Sequence, residues 1–170
     1  ARIIDTLEQY PMVDGAIMDG PEWGYEIDPK HMNFRSYIFN DLPESLRDRA
    51  EELDYDFDAM VAAKDRLFRQ MHNLTTSKIR LHGGGGLLGG FHLFGSDPHL
   101  FSWLSFRVEA LTKYFASIKK NMDTYASRKV GLGVGPRSAA FAPLCGYDFS
   151  ALSNVVDILL PKHYFWHRGF

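Results

Sequence analysis

The sequence predicts an α/β fold in which parallel strands alternate with helices, as part of a barrel. Three observations carry that expectation. Short apolar runs at residues 13–18, 130–135 and 155–160 read as buried strands. Segments with apolar residues three and four positions apart precede and separate them. The first two strand-like runs also close on turn chemistry, Asp19-Gly20-Pro21 and Pro136. Strands alternating with helices imply right-handed crossovers and a parallel sheet.

The elements follow in order. Ile3, Ile4 and Leu7 share a helical face, and Pro11 ends that helix. The first strand, Val13 to Met18, leads into the Asp19-Gly20-Pro21 turn and a long aromatic loop from Glu22 to Asn40. Residues 43–73 read as one helix, with Pro43 in its first turn and its charges on a solvated face. The glycine-rich run 82–100 (HGGGGLLGGFHLFGSDPHL) is expected to hold no regular element and to be a mobile loop or lid, the alternative being a closely packed turn. A strong helix follows over 101–126, then a strand at 130–135. Asp148 suits the N-cap of a short helix over 148–154, and a third strand starts at Val155 and runs on into Lys162-His163-Tyr164-Phe165. The expected organisation is one partial-barrel domain over 1–170, with 28–100 as an inserted excursion. Three strands leave open edges, so the remainder of the barrel is expected from missing sequence or another chain.

Composition narrows the function classes. With 45% hydrophobic and 24% charged residues, the chain is ordinary for a globular protein. A net charge of -2 argues against nucleic acid as a partner, because phosphate needs a basic surface. No apolar run is long enough to span a membrane, and no membrane partner is expected. Cys145 is the sole cysteine, which excludes an internal disulfide, and it reads as a small buried residue. No cofactor or resident metal is expected: Gly131-Leu132-Gly133-Val134-Gly135 lacks the spacing of a dinucleotide fingerprint, and the 83–90 run lacks the Lys-Ser/Thr ending of a phosphate loop.

Ligands of parallel sheets gather at the carboxyl ends of the strands, which selects three clusters. Asp19 and Glu22 are candidate catalytic carboxylates, with Glu26 beside them and Trp23 and Tyr25 between. Carboxylates near aromatic rings suit glycoside hydrolysis, where one must stay protonated to serve as the acid. The plainer alternative is that Asp19 caps its turn and Glu22 is solvated. Arg137, just past the second strand, can bind a substrate or hold a catalytic carboxylate, or can be a plain surface arginine. His163, Tyr164 and Trp166 follow the third strand and suit hydrogen bonding to, and stacking on, a polyol. His163 and His167, with Asp19, also allow a metal-dependent hydrolase.

Several of these stretches together resemble glycoside-hydrolase-like TIM barrels, the uncharacterised bacterial barrels related to amylase-like and clan A glycosidases. The resemblance rests on Arg107 at a helix start, the strand ending in Pro136, Asp148-Phe149, and Val156-Asp157-Ile158-Leu159-Leu160-Pro161 with Tyr164. Asp14-Gly15-Ala16-Ile17-Met18-Asp19 matches as well. It implies a partial (β/α)8 barrel, a carbohydrate substrate, and acid/base chemistry on Asp19 or Glu22. Trp23, Glu26, Arg137, His163, Tyr164 and Trp166 would then bind the sugar. The chain carries Asp19-Gly20-Pro21-Glu22 where clan A enzymes carry Asn-Glu. A carbohydrate-binding barrel without catalysis is the alternative from another class.

Overall fold

The computed structural model describes residues 2–24, 37–94, 97–137 and 142–161. They form two compact units, one drawn from Ala1–Trp23 with Val108–Phe170, the other Gly24–Arg107.

The first unit holds the sheet. Helix α1 (Arg2–Gln9) precedes strand β1 (Gly15–Met18); strands β2 (Gly131–Val134) and β3 (Ile158–Leu159) follow later in the chain. The order is β1-β2-β3, and both pairings are parallel. Gly15 pairs with Gly131 and Met18 with Val134; Gly133 pairs with Ile158. β2 is the central strand; Leu132 and Val134, two residues apart and therefore on one face, are fully buried, while Ile17 and Ile158, the register partners of Gly133 on the other face, are 60% and 50% exposed. β1 and β3 are edges. The predicted (β/α)8 barrel is therefore corrected: the described residues make an open three-stranded sheet with seven helices, and the sheet does not close. Local alternation of strand and helix establishes parallel neighbours, but closure needs enough strands at a fixed stagger, and a three-strand ladder supplies neither.

Glycine sets the approach of β1 to β2. A Cβ on Gly15 would lie 2.3 Å from the Gly131 carbonyl oxygen, and one on Gly133 would lie 3.0 Å from Ile17 Cγ1. Gly133, one of the glycines that fail as a dinucleotide fingerprint, is thus a packing residue. Arg128 closes the other end of this layer. Its guanidinium donates to the carbonyls of Leu7, Tyr10 and Val13 at 3.2, 3.4 and 2.6 Å, across the last turn of α1 and the segment that follows it.

Asp157 locks the register of β3. Its Oδ2 accepts from the Leu132 amide at 2.8 Å, while its own amide donates to the Leu132 carbonyl at 2.9 Å. That backbone bond, followed by Lys119 alongside at 3.3 Å, holds the Asp157 carboxyl below the usual carboxylate range. The folded value is depressed, so the stabilisation is present in full above the unfolded carboxylate pKa and is lost as pH falls through the folded one. Asp157→Ala leaves the buried Leu132 amide without its acceptor, at a cost of about 1–3 kcal/mol. Chemical denaturation at neutral pH is expected to show that loss, and the difference from wild type should shrink in strong acid. A constant difference at every pH would refute the assignment.

The other helices are α2 (Arg47–Glu52), α3 (Phe57–His72), α4 (Thr76–Gly84), α5 (Leu87–Phe94), α6 (Pro98–Tyr125) and α7 (Phe149–Ser153). Asp148 caps α7 by accepting from the Ala151 amide at 3.0 Å, and Cys145 is buried, both as the sequence indicates. Two readings change. The single helix over 43–73 is broken at 53–56, where Asp54 takes a positive φ of 63° and Asp56 caps α3 through the Ala59 amide. The glycine-rich run is largely helical, supplying the end of α4, all of α5 and the start of α6.

The second unit packs around Phe39, Met60, Trp103 and Phe106, with Phe39 stacked on Trp103 at 6.3 Å. Lys64 departs from the solvated face assigned to its helix. It is fully buried, and its ammonium reaches the Phe39 and Asn40 carbonyls and the Asp41 carboxylate at 3.2–3.3 Å. A buried ammonium survives only with such partners, so Lys64 ties segment 39–41 to α3.

Candidate functional site at the strand ends

The carboxyl end of β1 turns sharply. Gly20 adopts a φ of +93°, open only to a residue without Cβ strain, and Asp19 beside it is exposed. The chain then runs across the end of β2, pinned at three successive residues. Pro21 accepts from the Tyr147 hydroxyl at 2.9 Å. Trp23 donates its amide to the Cys145 carbonyl at 3.0 Å. Between them, Glu22 meets Arg137.

The Glu22–Arg137 pair is bidentate. Arg137 Nε donates to both carboxylate oxygens of Glu22 at 2.9 and 3.0 Å, and its Nη2 donates to Oε1 as well. The side chains are only 13% and 19% exposed. A guanidinium fork matched to a carboxylate is the strongest common ion-pair geometry, and partial burial lowers its screening by water. Tyr147 is buried and stacks on Phe115 at 6.3 Å. Its phenol is pushed well above the usual value, first by burial and then by the negative charge of Glu22. The hydroxyl therefore stays protonated and acts as a fixed donor.

Two of the residues selected by the strand-end rule, Glu22 and Arg137, are brought into direct contact. Asp19 and Trp23 lie on the same segment, on either side of Glu22. Glu26, His163, Tyr164 and Trp166, together with Lys162 and His167, lie outside the described residues. Tyr147 is the residue that reading along the chain misses. Gly146, with a φ of +83°, turns the chain immediately before it, and the Gly-Tyr-Asp triplet is the only signal of that turn.

This geometry corrects the expected chemistry. Glycosidase carboxylates face each other across a barrel mouth, and an open three-stranded sheet provides no such mouth. Both oxygens of Glu22 are taken up by Arg137, which leaves them poorly placed to attack a sugar or protonate a leaving group. Glycoside hydrolysis, a carbohydrate-binding barrel, a carbohydrate partner and a missing remainder of the barrel all fall with the barrel itself. The metal-dependent hydrolase falls too: among the described residues, no group of three or more His, Cys, Asp or Glu side chains is placed to hold a metal ion. A groove of about 290 Å³ runs between α1 and β1, lined by Ile3, Leu7, Val13 and Ile17 among others. It is mostly apolar and lacks the convergent polar groups that fix a small ligand. Comparison of the chain with known protein families, with curated proteins and with solved structures finds no match.

Proposed function

We propose that the carboxyl ends of β1 and β2 bind a small zwitterionic molecule of the α-amino acid type, with Glu22 and Arg137 as its two charge partners. The observation that carries this reading is the half-buried, bidentate pair at the ends of neighbouring parallel strands, where ligands of such sheets bind. A ligand bearing one charge would have to leave one member of the pair unpaired, which is costly away from water. A zwitterion exchanges with both at once. Its carboxylate takes the guanidinium fork of Arg137, and its ammonium takes Glu22. Trp23 and the Tyr147 hydroxyl support the reading by holding the loop that carries Glu22 against the sheet.

The test is calorimetric titration of the chain with the proteinogenic amino acids and betaine. Saturable binding of at least one is expected, and Glu22→Gln and Arg137→Met should each weaken it about tenfold or more, because each removes one charge-assisted contact. Binding unaffected by either variant would refute the site. No binding at all, with Arg137→Met still destabilising, would leave the pair as a clamp that holds residues 21–23 on the sheet.

A further inference from the structure

The second unit carries a surface of unusual make-up. Between Asp65 and Asp97 the chain has no acidic residue, yet it has Arg66, Arg69, Lys78 and Arg80, within a protein of net charge -2. Arg66 is held by Asp97, its Nε 2.8 Å from Oδ2. Lys78 and Arg80 form no ion pair with any described residue.

Apolar side chains lie beside this charge. No residue of α4 is buried, and Ile79 and Leu81 are 56% and 53% exposed. At the start of α5, Leu87 is 80% exposed and Leu88 is 69% exposed. Ile79 and Leu81 are two residues apart and so lie on opposite sides of α4, and the apolar surface is concentrated in the adjacent pair Leu87 and Leu88 at the turn, a more exposed cluster than the scattered leucines of an ordinary surface. A helix this short, ending in glycines and with no buried residue, also gains little stability of its own in water.

The hairpin is nonetheless built. A Cβ on Gly89 would lie 2.1 Å from the His82 carbonyl oxygen, and one on Gly85 would lie 2.7 Å from the Leu81 carbonyl oxygen. The His82 ring nitrogen Nδ1 sits 3.4 Å from the Gly89 carbonyl. These glycines permit the two helices to close tightly at their turn, so Leu87 and Leu88 project together from a compact tip. Lys78 and Arg80 lie seven and five residues before the turn at Gly85, roughly 10 and 8 Å back along α4 at a helical rise of about 1.5 Å per residue. The headgroup region of a bilayer is about 5–8 Å deep on each side, so cations set behind an inserted leucine tip fall at the level of the lipid phosphates.

We propose that the α4–α5 hairpin docks on the surface of an anionic lipid bilayer, with Leu87 and Leu88 entering the interface and Lys78 and Arg80 facing lipid phosphates. Charge complementarity selects the occupant: the patch is basic without a single acidic residue, and its apolar tip has no role against a purely polyanionic partner. The absence of a membrane partner inferred from sequence concerned spanning. No helix among the described residues is long and apolar enough to cross a membrane, and lying on its surface needs only an apolar tip and a basic flank.

The experiment is co-sedimentation of the full chain with phosphatidylcholine vesicles, with and without phosphatidylserine. Binding is expected on the mixed vesicles and should be about tenfold or more weaker on phosphatidylcholine alone. Leu87→Ser/Leu88→Ser and Lys78→Glu/Arg80→Glu should each lower it by a similar factor. All four side chains are exposed, and unchanged far-ultraviolet circular dichroism confirms that the variants fold. An environment-sensitive dye attached at Leu88→Cys should shift to the blue on the mixed vesicles. No binding to phosphatidylserine vesicles overturns the proposal. So does binding that ignores the leucine substitutions, which is how a charge-only surface for nucleic acid or heparin would behave.

Discussion

Arg137→Met is expected to lower the stability of the protein by about 2 kcal/mol, read as a drop in the urea midpoint at constant slope. The cost comes less from losing a favourable contact than from what remains. Glu22 is 13% exposed, and without the guanidinium its carboxylate has neither water nor a cation to replace three hydrogen bonds. A fully buried orphan would cost about 3–5 kcal/mol, and the residual exposure of Glu22 brings the figure down. Two further variants isolate the cause. Arg137→Lys keeps the charge but not the fork, and should recover only part of the loss. Arg137→Met combined with Glu22→Gln removes both charges, and should be more stable than Arg137→Met alone. If the double variant is instead as unstable as the sum of the singles, the pair is not coupled and the account is wrong.

That pair also marks how far the sequence could be read. The strand-end rule selected Glu22 and Arg137 separately, because each follows a short apolar run closed by glycine and proline. Their contact spans 115 positions, and no local pattern connects them. Tyr147 was passed over for a related reason. Its hydroxyl is functional only because the fold brings Pro21 to it, 126 positions away in sequence. Short-range chemistry was legible where the cause is itself short-range: Asp148 as a cap three residues before the amide it accepts from, or Pro11 as the stop after α1.

The misreadings have equally specific causes. Counting glycines in 82–100 treated each as a source of backbone freedom, at roughly 1 kcal/mol against helix. Gly85 and Gly89 are there because another backbone lies where a Cβ would go, and tight helix apposition outweighs the propensity cost. Lysine almost always lies on a solvated face, and the oxygens that receive Lys64, two carbonyls and the Asp41 carboxylate, come from 23–25 positions earlier in the chain. The barrel was inferred from strand–helix alternation, a pattern shared by open and closed parallel sheets alike. What decides between them is the number of strands and their stagger, and β3 pairs through just two residues, Ile158 and Leu159.

The other large effect is expected at Gly15, and its strength lies in an asymmetry. Gly15 and Gly131 are register partners in a parallel pair, chemically identical and one strand apart. A Cβ on Gly15 would stand 2.3 Å from the Gly131 carbonyl oxygen, a distance no real contact tolerates; a Cβ on Gly131 would find its nearest neighbour at 3.8 Å, ordinary packing. The oxygen that Gly15 would strike belongs to backbone in the central strand and cannot rotate away. Gly15→Ala must therefore push β1 from β2, at a cost of about 3 kcal/mol, and Gly15→Val more. Gly131→Ala should cost less than about 1 kcal/mol, because it also restricts the unfolded chain. Gly20→Ala falls between them: nothing lies within 4 Å of its Cβ, but the φ of +93° strains any other residue by about 1–2 kcal/mol. Urea midpoints for the three alanine variants should rank Gly15 lowest, then Gly20, then Gly131. Equal losses at Gly15 and Gly131 would mean that strand propensity, and not backbone approach, placed glycine in both strands. The rank also bears on the site, because β1 carries Asp19 and Glu22 to the end of the sheet. Gly15→Ala should weaken amino acid binding along with stability, whereas Gly131→Ala should leave both intact.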